Sequence, residues 1–176
     1  MAVSPVVCVL APPRQEFILN VNTYLFLLRA NGAEVLRTIV PTLSNNDYKG
    51  TSGKIAVIGG SLEYTGAPYF AAISALRVGA DLAHVFCRPD AAVVIKGYSP
   101  ELIVHPVLCA DGCLRKLEEW LPRMHTVVLG PGLGRDEDIK NLFGEILDVI
   151  IRLELLLVVD ADGLFLIRDH FAKIKG

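Results

Sequence analysis

The amino-acid sequence predicts an α/β fold in which a parallel sheet carries helices on both faces. Short runs of Val, Ile and Leu alternate with stretches of helical periodicity from Lys54 onward. Glycine-rich turns follow two of the predicted strands, at 59–60 and at 130–134. Apolar residues make up 52% of the 176 residues. This high share is typical of parallel strands that helices cover on both faces.

The predicted elements follow one another in a regular order. Strands are predicted from short apolar runs, and helices from apolar residues spaced three or four apart, as at Leu117 and Trp120. Gly79 is expected to end the first helix, because glycine readily adopts the left-handed conformation found there. In chain order we predict a strand at 55–58, a helix at 68–78, a strand at 82–86, a short helix or turn at 91–96, an extended segment at 101–107, a helix at 113–121, a strand at 126–129, a helix at 136–152 and a strand at 155–159.

Residues 1–48 differ from the rest of the chain, because they lack this alternation of strand, turn and helix. We interpret them as a variable N-terminal extension or a targeting segment, and residues 49–176 as the α/β domain. Glu16 and Glu34 weaken the interpretation as a mitochondrial presequence, since such segments are poor in acidic residues. A cytoplasmic or mitochondrial location, or both, is expected.

Composition excludes several classes of protein. A net charge of -2 gives no reason to expect a nucleic-acid partner. The longest apolar stretches, around 24–28 and 153–159, are far shorter than the roughly 20 residues that cross a membrane. The four cysteines are interpreted as reduced thiols, and neither they nor the four histidines have the spacing of a metal site. We therefore predict no membrane span and no protein-held metal, and we interpret His84 as structural.

The two glycine turns are the strongest functional signal. A helix that begins just after such a turn presents free backbone N–H groups and the positive end of its dipole, which suits an anionic ligand. Turns that follow two strands of one sheet would converge on one site. The second turn, at 130–134, is neither a Walker A loop nor a complete dinucleotide fingerprint. The alternative is that these glycines serve only the close packing of helix on sheet.

Two carboxylates, Asp160 and Asp162, follow the last predicted strand. Ligands of open α/β sheets bind at this end of the strands. Side chains alternate in direction along an extended backbone, so at most one carboxylate is expected to face a site. Which one does so is left open, and the alternative is that one of them caps the following helix.

Four segments together, 54–87, 98–106, 127–136 and 158–164, resemble the ATP-dependent NAD(P)H-hydrate dehydratase family, and the resemblance extends over 49–167. It implies a ribokinase-like fold and the ATP-dependent dehydration of the hydrated, 6-hydroxylated forms of NADH and NADPH. This is a nicotinamide nucleotide repair reaction with ATP and Mg²⁺ as cofactors. The residues that the resemblance assigns to the substrate site are Gly66, Ala67, Gly130, Gly132 and Gly134.

The chain also departs from this family. By resemblance, its members carry further segments, the last being a Gly-x-Gly-Asp turn whose aspartate is the catalytic base, and the 176 residues contain no such turn. We therefore interpret the chain as the amino-terminal half of a C-terminally truncated enzyme. We assign no catalytic residue and expect no ATP-dependent dehydration by the chain alone. The alternatives are a non-catalytic form that binds a nucleotide or a partner, and a small-molecule kinase of the same fold.

A sheet that ended at strand 155–159 would leave an interior strand at an open edge. Unpaired backbone groups and the apolar side chains of Leu155, Leu157 and Val159 would then face water, and such edges recruit other chains. From this we predict marginal stability and self-association, with a homo-oligomer as one outcome.

Overall fold

A computed structural model describes residues 8–10 and 45–174 of the chain. The strands are β1 (Cys8–Leu10), β2 (Lys54–Ile58), β3 (Leu82–Cys87), β4 (Ile103–Pro106), β5 (Thr126–Leu129) and β6 (Leu156–Val159). The helices are α1 (Gly66–Val78), α2 (Pro89–Tyr98), α3 (Cys113–Trp120), α4 (Glu137–Arg152), α5 (Asp162–Leu166) and α6 (Phe171–Ile174), with 3₁₀ turns at Leu121–Arg123 and Ile167–His170.

The strands form one sheet in the order β1-β6-β5-β2-β3-β4. Strands β2 to β6 run parallel, which confirms the predicted sheet. From β2, the chain adds β3 and β4 on one side and then returns to add β5 and β6 on the other. The strand order therefore reverses between β2 and β5, and the crevice at such a point is where open α/β sheets bind their ligands. Both predicted glycine turns follow these two strands.

Side chains that alternate along each strand form a separate core on each face of the sheet. Val57 and Val85 pack on one face with residues of α1 and α2. Ile58, Phe86 and Leu129 pack on the other face with residues of α3 and α4. All five side chains are fully buried. Helices therefore cover both faces, as the high apolar content predicts.

Most boundaries of the helices and strands agree with the predicted boundaries to within two residues. Gly79 ends α1 with φ at 125°, and its N–H donates to the Leu76 carbonyl at 3.1 Å, which confirms the predicted helix end. The short helix or turn predicted at 91–96 is a helix of ten residues, α2. It is longer because Pro89, which lacks an N–H, starts the first turn at no cost in hydrogen bonds.

The predicted open edge at the last strand is wrong. Strand β6 pairs with β5 on one side and antiparallel with β1 on the other, with Cys8 opposite Val159 and Leu10 opposite Leu157. Leu157 and Val159 are buried, and Leu155 is half-buried. Three residues of the segment predicted to be an N-terminal extension thus join the sheet. The rest of that segment, to residue 44, lies outside the described residues.

His84 on β3 and His105 on β4 lie side by side, a contact that the sequence analysis did not predict. His84 Nδ1 and His105 Nε2 are 3.0 Å apart, and both rings contact Trp120 of α3. Burial, with the neighbouring His84 as a second cause, lowers the pKa of His105 to about 4. Burial also lowers the pKa of His84. His84 is buried and His105 half-buried, and the lowered pKa values favour the neutral form of both rings, in line with the structural interpretation of His84.

None of the helices in the described residues combines the length and the apolar composition that a membrane crossing requires.

Candidate functional site

The two glycine turns pack directly on each other at the carboxyl ends of β2 and β5. The Gly60 N–H donates to the Gly132 carbonyl at 3.1 Å. A Cβ atom on Gly59 would overlap the carbonyl oxygen of Pro131, so no other residue fits between the turns. The convergence predicted from the sequence is therefore present. It forms at the point where the strand order reverses.

Gly132 brings the second turn against the beginning of α1. Its φ is 60°, and a Cβ atom there would lie 2.7 Å from the Tyr64 carbonyl oxygen and 3.3 Å from Pro68 Cδ. Gly66 opens α1, and Ala67 is exposed in the first turn of the helix. Gly66 and Ala67 thus lie at the start of α1, and Gly132, which is buried, packs against Tyr64 and Pro68 on either side of them in the sequence.

Gly130 is required by packing. Its φ is 126°, and a Cβ atom there would overlap the Asp160 carbonyl oxygen and lie 2.5 Å from the Gly163 nitrogen. Gly130 is also buried, and its N–H donates to the Ile58 carbonyl at 3.0 Å. The packing alternative raised from the sequence explains this glycine. A contact between Gly130 and substrate stays a prediction.

Asp162 joins the turn after β6 to the turn after β5. Its Oδ2 accepts from the Gly134 N–H at 3.0 Å, and its Oδ1 accepts from Arg135 Nε at 2.6 Å. Residue 161, an alanine, caps α5, and neither aspartate side chain caps it, so the capping alternative is wrong. Of the two carboxylates, Asp162 is the one that reaches the glycine turn. It acts there as a structural acceptor and keeps the Gly134 N–H occupied.

Arg88 lies across the same edge of the sheet and was not predicted. Its Nη2 donates to Asp136 Oδ1 at 2.7 Å and to Cys109 Sγ at 3.4 Å. Burial alone would lower the pKa of Arg88, but Cys109 and Asp136 together raise it. The same Asp136 oxygen caps α4 by accepting from the Ile139 N–H at 3.2 Å. The sequence offered one indication that Arg88 belongs to the site, which is its position directly after β3, a strand that neighbours β2.

Comparison with known proteins identifies the family of this chain. The family model described as NAD(P)H-hydrate dehydratase matches residues 55–175, a span that includes both glycine turns. The chain belongs to the NAD(P)H-hydrate dehydratase family. It is 54% identical over 142 residues to the ATP-dependent (S)-NAD(P)H-hydrate dehydratase of Drosophila melanogaster, covering 81% of this chain and 47% of the relative. The Homo sapiens enzyme of that name is 54% identical over 146 residues, with 83% and 42% covered. The chain spans about half the length of the curated relatives it matches.

Solved structures agree with the fold expected for this family. A ribokinase-like superfamily protein from Enterococcus faecalis superposes with a TM-score of 0.64 at 21% identity, over 78% of this chain and 46% of that one. The ADP/ATP-dependent NAD(P)H-hydrate dehydratase from Bacillus subtilis, co-crystallized with ATP/Mg²⁺, gives a TM-score of 0.58 at 22% identity, over 74% and 45%. At these identities the likeness concerns the fold alone. The ribokinase-like fold implied by the resemblance is confirmed.

The described residues do not by themselves fit a magnesium site. Within 8–10 and 45–174, no three His, Cys, Asp or Glu side chains come together as metal ligands would. The carboxylates of Asp162 and Asp136 already accept hydrogen bonds from arginines and from backbone N–H groups. We therefore derive no catalytic step through the metal from these residues.

Proposed function

We propose that this chain binds the hydrated forms of NADH and NADPH and belongs to the machinery of their ATP-dependent dehydration, with ATP and Mg²⁺ as cofactors. The observation that carries the proposal is the family match over 55–175, which includes both glycine turns and the start of α1. The identity of 54% to curated enzymes of that activity supports it. The proposed substrate site is the start of α1, at Gly66 and Ala67, together with the turn at Gly132 that packs against this part of the chain.

The anionic part of the substrate, its pyrophosphate, fits the N-terminus of α1 better than that of α4. The first turn of α1 contains no acidic residue. Thr65, the residue before it, makes no capping hydrogen bond within the described residues, because its hydroxyl pairs with Tyr98 at 2.9 Å. The Gly66 and Ala67 N–H groups are therefore available to an anion.

Helix α4 presents the opposite case. Asp136 already caps it, and Glu137 and Asp138 lie in its first turn. Three carboxylates at a helix N-terminus satisfy the dipole and repel a phosphate. A dinucleotide would therefore place its phosphates towards α1 and its neutral groups towards the second turn. The described residues orient the substrate in this proposal, and none of them is assigned as acid or base.

The test is calorimetric titration of the chain with purified (S)-NADH hydrate. Ala67→Phe puts a ring on the proposed anion site, and Ala172→Phe makes the same change at an exposed position of α6. We expect the wild-type chain and Ala172→Phe to bind alike, and Ala67→Phe to bind at least about tenfold more weakly, because the ring blocks charge-assisted hydrogen bonds. Equal binding by all three chains, or no binding by any, would contradict the proposal.

Turnover is a separate measurement. Recovery of NADH absorbance at 340 nm after addition of ATP and Mg²⁺ to the hydrate reports the complete reaction. The absence of turnover expected from the sequence for these 176 residues stays a prediction that this assay decides. Binding without turnover would favour the non-catalytic alternative for the isolated chain.

We further propose that the chain self-associates. The predicted open edge no longer supports this, but Phe70, Val78 and Val93 on α1 and α2 are 66%, 91% and 78% exposed. If these side chains form one contiguous apolar patch, that patch would favour association. Light scattering coupled to size-exclusion chromatography tests it, with Phe70→Glu expected to lower the measured mass and a monomeric wild-type chain as the contradicting result.

A further inference from the structure

Two buried polar atoms in the described residues have no hydrogen-bond partner, Ser61 Oγ and Arg88 Nε. Ser61 is only 3% exposed. A buried hydroxyl without a partner costs free energy, so native proteins rarely keep one without a reason. Both atoms belong to the carboxyl edge of the sheet, since Ser61 follows the first glycine turn and Arg88 follows β3.

The structure ties the two residues to each other and to the second glycine turn. The Arg88 N–H donates to the Gly60 carbonyl at 3.1 Å, next to Ser61. A Cβ atom on Gly134 would lie 4.0 Å from Ser61 Oγ and 3.5 Å from Asp136 Oδ2. Because the same Cβ atom would lie 3.7 Å from Ser61 Cβ, glycine at 134 leaves a small space beside the Ser61 side chain and the Asp136 carboxylate. We name this space, which lies between Ser61, Gly134 and Asp136, the Ser61 pocket. Arg88 adjoins it through its hydrogen bond to Asp136.

The polar atoms of the Ser61 pocket select a type of ligand group. Ser61 Oγ can donate and accept, and Arg88 Nε donates. Asp136 Oδ1 accepts hydrogen bonds from Arg88 and from the Ile139 N–H that it caps. Asp136 Oδ2 lies beside the pocket and can act there as an acceptor. A carboxylate in the wall repels a phosphate. A hydroxyl group suits the set, because it can donate to the carboxylate and accept from the serine or the guanidinium.

We propose that the Ser61 pocket binds a hydroxyl group of the dinucleotide, with Ser61 and Arg88 as donors and Asp136 as acceptor. The inference rests on the proposed function and adds to it three residues outside the assigned substrate site. The hydroxyl could come from a ribose or from the hydrated nicotinamide ring. The unpartnered serine is then a feature kept for the ligand at a cost to the stability of the free chain.

The experiment measures ligand affinity and thermal stability on the same variants. Ser61→Ala removes the hydroxyl, and Ser74→Ala makes the same change at an exposed position of α1. Arg88→Lys keeps the positive charge beside Asp136 and removes the Nε donor. Each chain is titrated calorimetrically with (S)-NADH hydrate and with NADH, which lacks the ring hydroxyl, and its melting temperature is recorded without ligand.

We expect Ser61→Ala to weaken binding of the hydrate by roughly 2- to 12-fold, the range for loss of one hydrogen bond, and to leave the melting temperature equal or higher. Arg88→Lys should weaken binding as well, and Ser74→Ala should bind as the wild type does. Weaker binding of both probes assigns the pocket to a ribose hydroxyl. A loss confined to the hydrate assigns it to the ring hydroxyl.

Other results overturn the inference. If the wild-type chain binds the hydrate and Ser61→Ala binds it equally well, the pocket takes no ligand hydroxyl, although the proposed function stands. A melting temperature of Ser61→Ala several degrees below that of Ser74→Ala, with unchanged affinity, would make Ser61 a structural residue. If the wild-type chain binds neither probe, the proposed function and this inference fail together.

Discussion

The structure predicts a large loss of stability for Gly130→Ala. The new Cβ atom would overlap the Asp160 carbonyl oxygen and lie 2.8 Å from Gly163 Cα, and both contacts are backbone atoms that cannot rotate away. An alanine with φ at 126° adds strain of about 1–2 kcal/mol. Overpacking of a tight contact costs about 1–3 kcal/mol more. The free energy of unfolding should therefore fall by roughly 2–5 kcal/mol.

The assay is urea unfolding followed by the fluorescence of the single tryptophan, Trp120, and by circular dichroism. With a slope of about 1–3 kcal/mol per molar urea, the midpoint of Gly130→Ala should fall by about 1 M or more. Gly97→Ala is the matched control, because a Cβ atom there meets nothing within 4 Å inside α2. Its midpoint should rise, since alanine favours helix by roughly 0.5–1 kcal/mol. Equal midpoints for Gly130→Ala and wild type would refute the packing argument for this turn.

Two further predictions concern the histidine pair and Asp162. Because burial holds the pKa of His105 at about 4, below the unfolded value near 6.5, the unfolded chain binds more protons between these pH values. Stability should therefore fall as pH drops from 6.5 towards 4. His105→Phe should reduce the difference between the free energies of unfolding that urea titrations give at pH 7.5 and at pH 5. An equal difference for the variant and the wild-type chain would count against this prediction. Asp162→Ala should lower the free energy of unfolding by about 1–3 kcal/mol, because it leaves the Gly134 N–H without its acceptor. Asp148→Ala, which breaks an exposed pair with Lys173, should cost at most about 1 kcal/mol, and equal losses for both variants would be evidence against a special place for Asp162.

Most of the helices and strands could be predicted from local patterns in the sequence. Each parallel strand and main helix has its own periodicity and its own punctuation, such as Gly79 at the end of α1, so these elements could be predicted singly. The glycine turns could also be predicted to meet, because carboxyl ends of parallel strands share one edge of the sheet. What periodicity does not contain is the order of the strands. The contact between His84 and His105 depends on that order, and it was missed.

The remaining omissions have the same cause, which is long separation along the chain. Strand β1 is three residues long and pairs with β6 about 150 positions later, so no local pattern indicates it. The ion pair between Arg88 and Asp136 joins residues 48 positions apart. Ser61 could be seen to follow a glycine turn, but its lack of a hydrogen-bond partner is a property of the packed structure alone.

We propose that the start of α1 and the two glycine turns together bind NAD(P)H hydrate. Hydrogen–deuterium exchange of the chain, measured with and without saturating (S)-NADH hydrate, tests this proposal because it locates the bound ligand on the backbone. We predict slower exchange in the peptides that contain Gly60, Gly66 and Ala67 and in those that contain 130–134, with α6 unchanged. Unchanged exchange at these segments under conditions where calorimetry shows binding, or protection confined to other parts of the chain, would contradict the account.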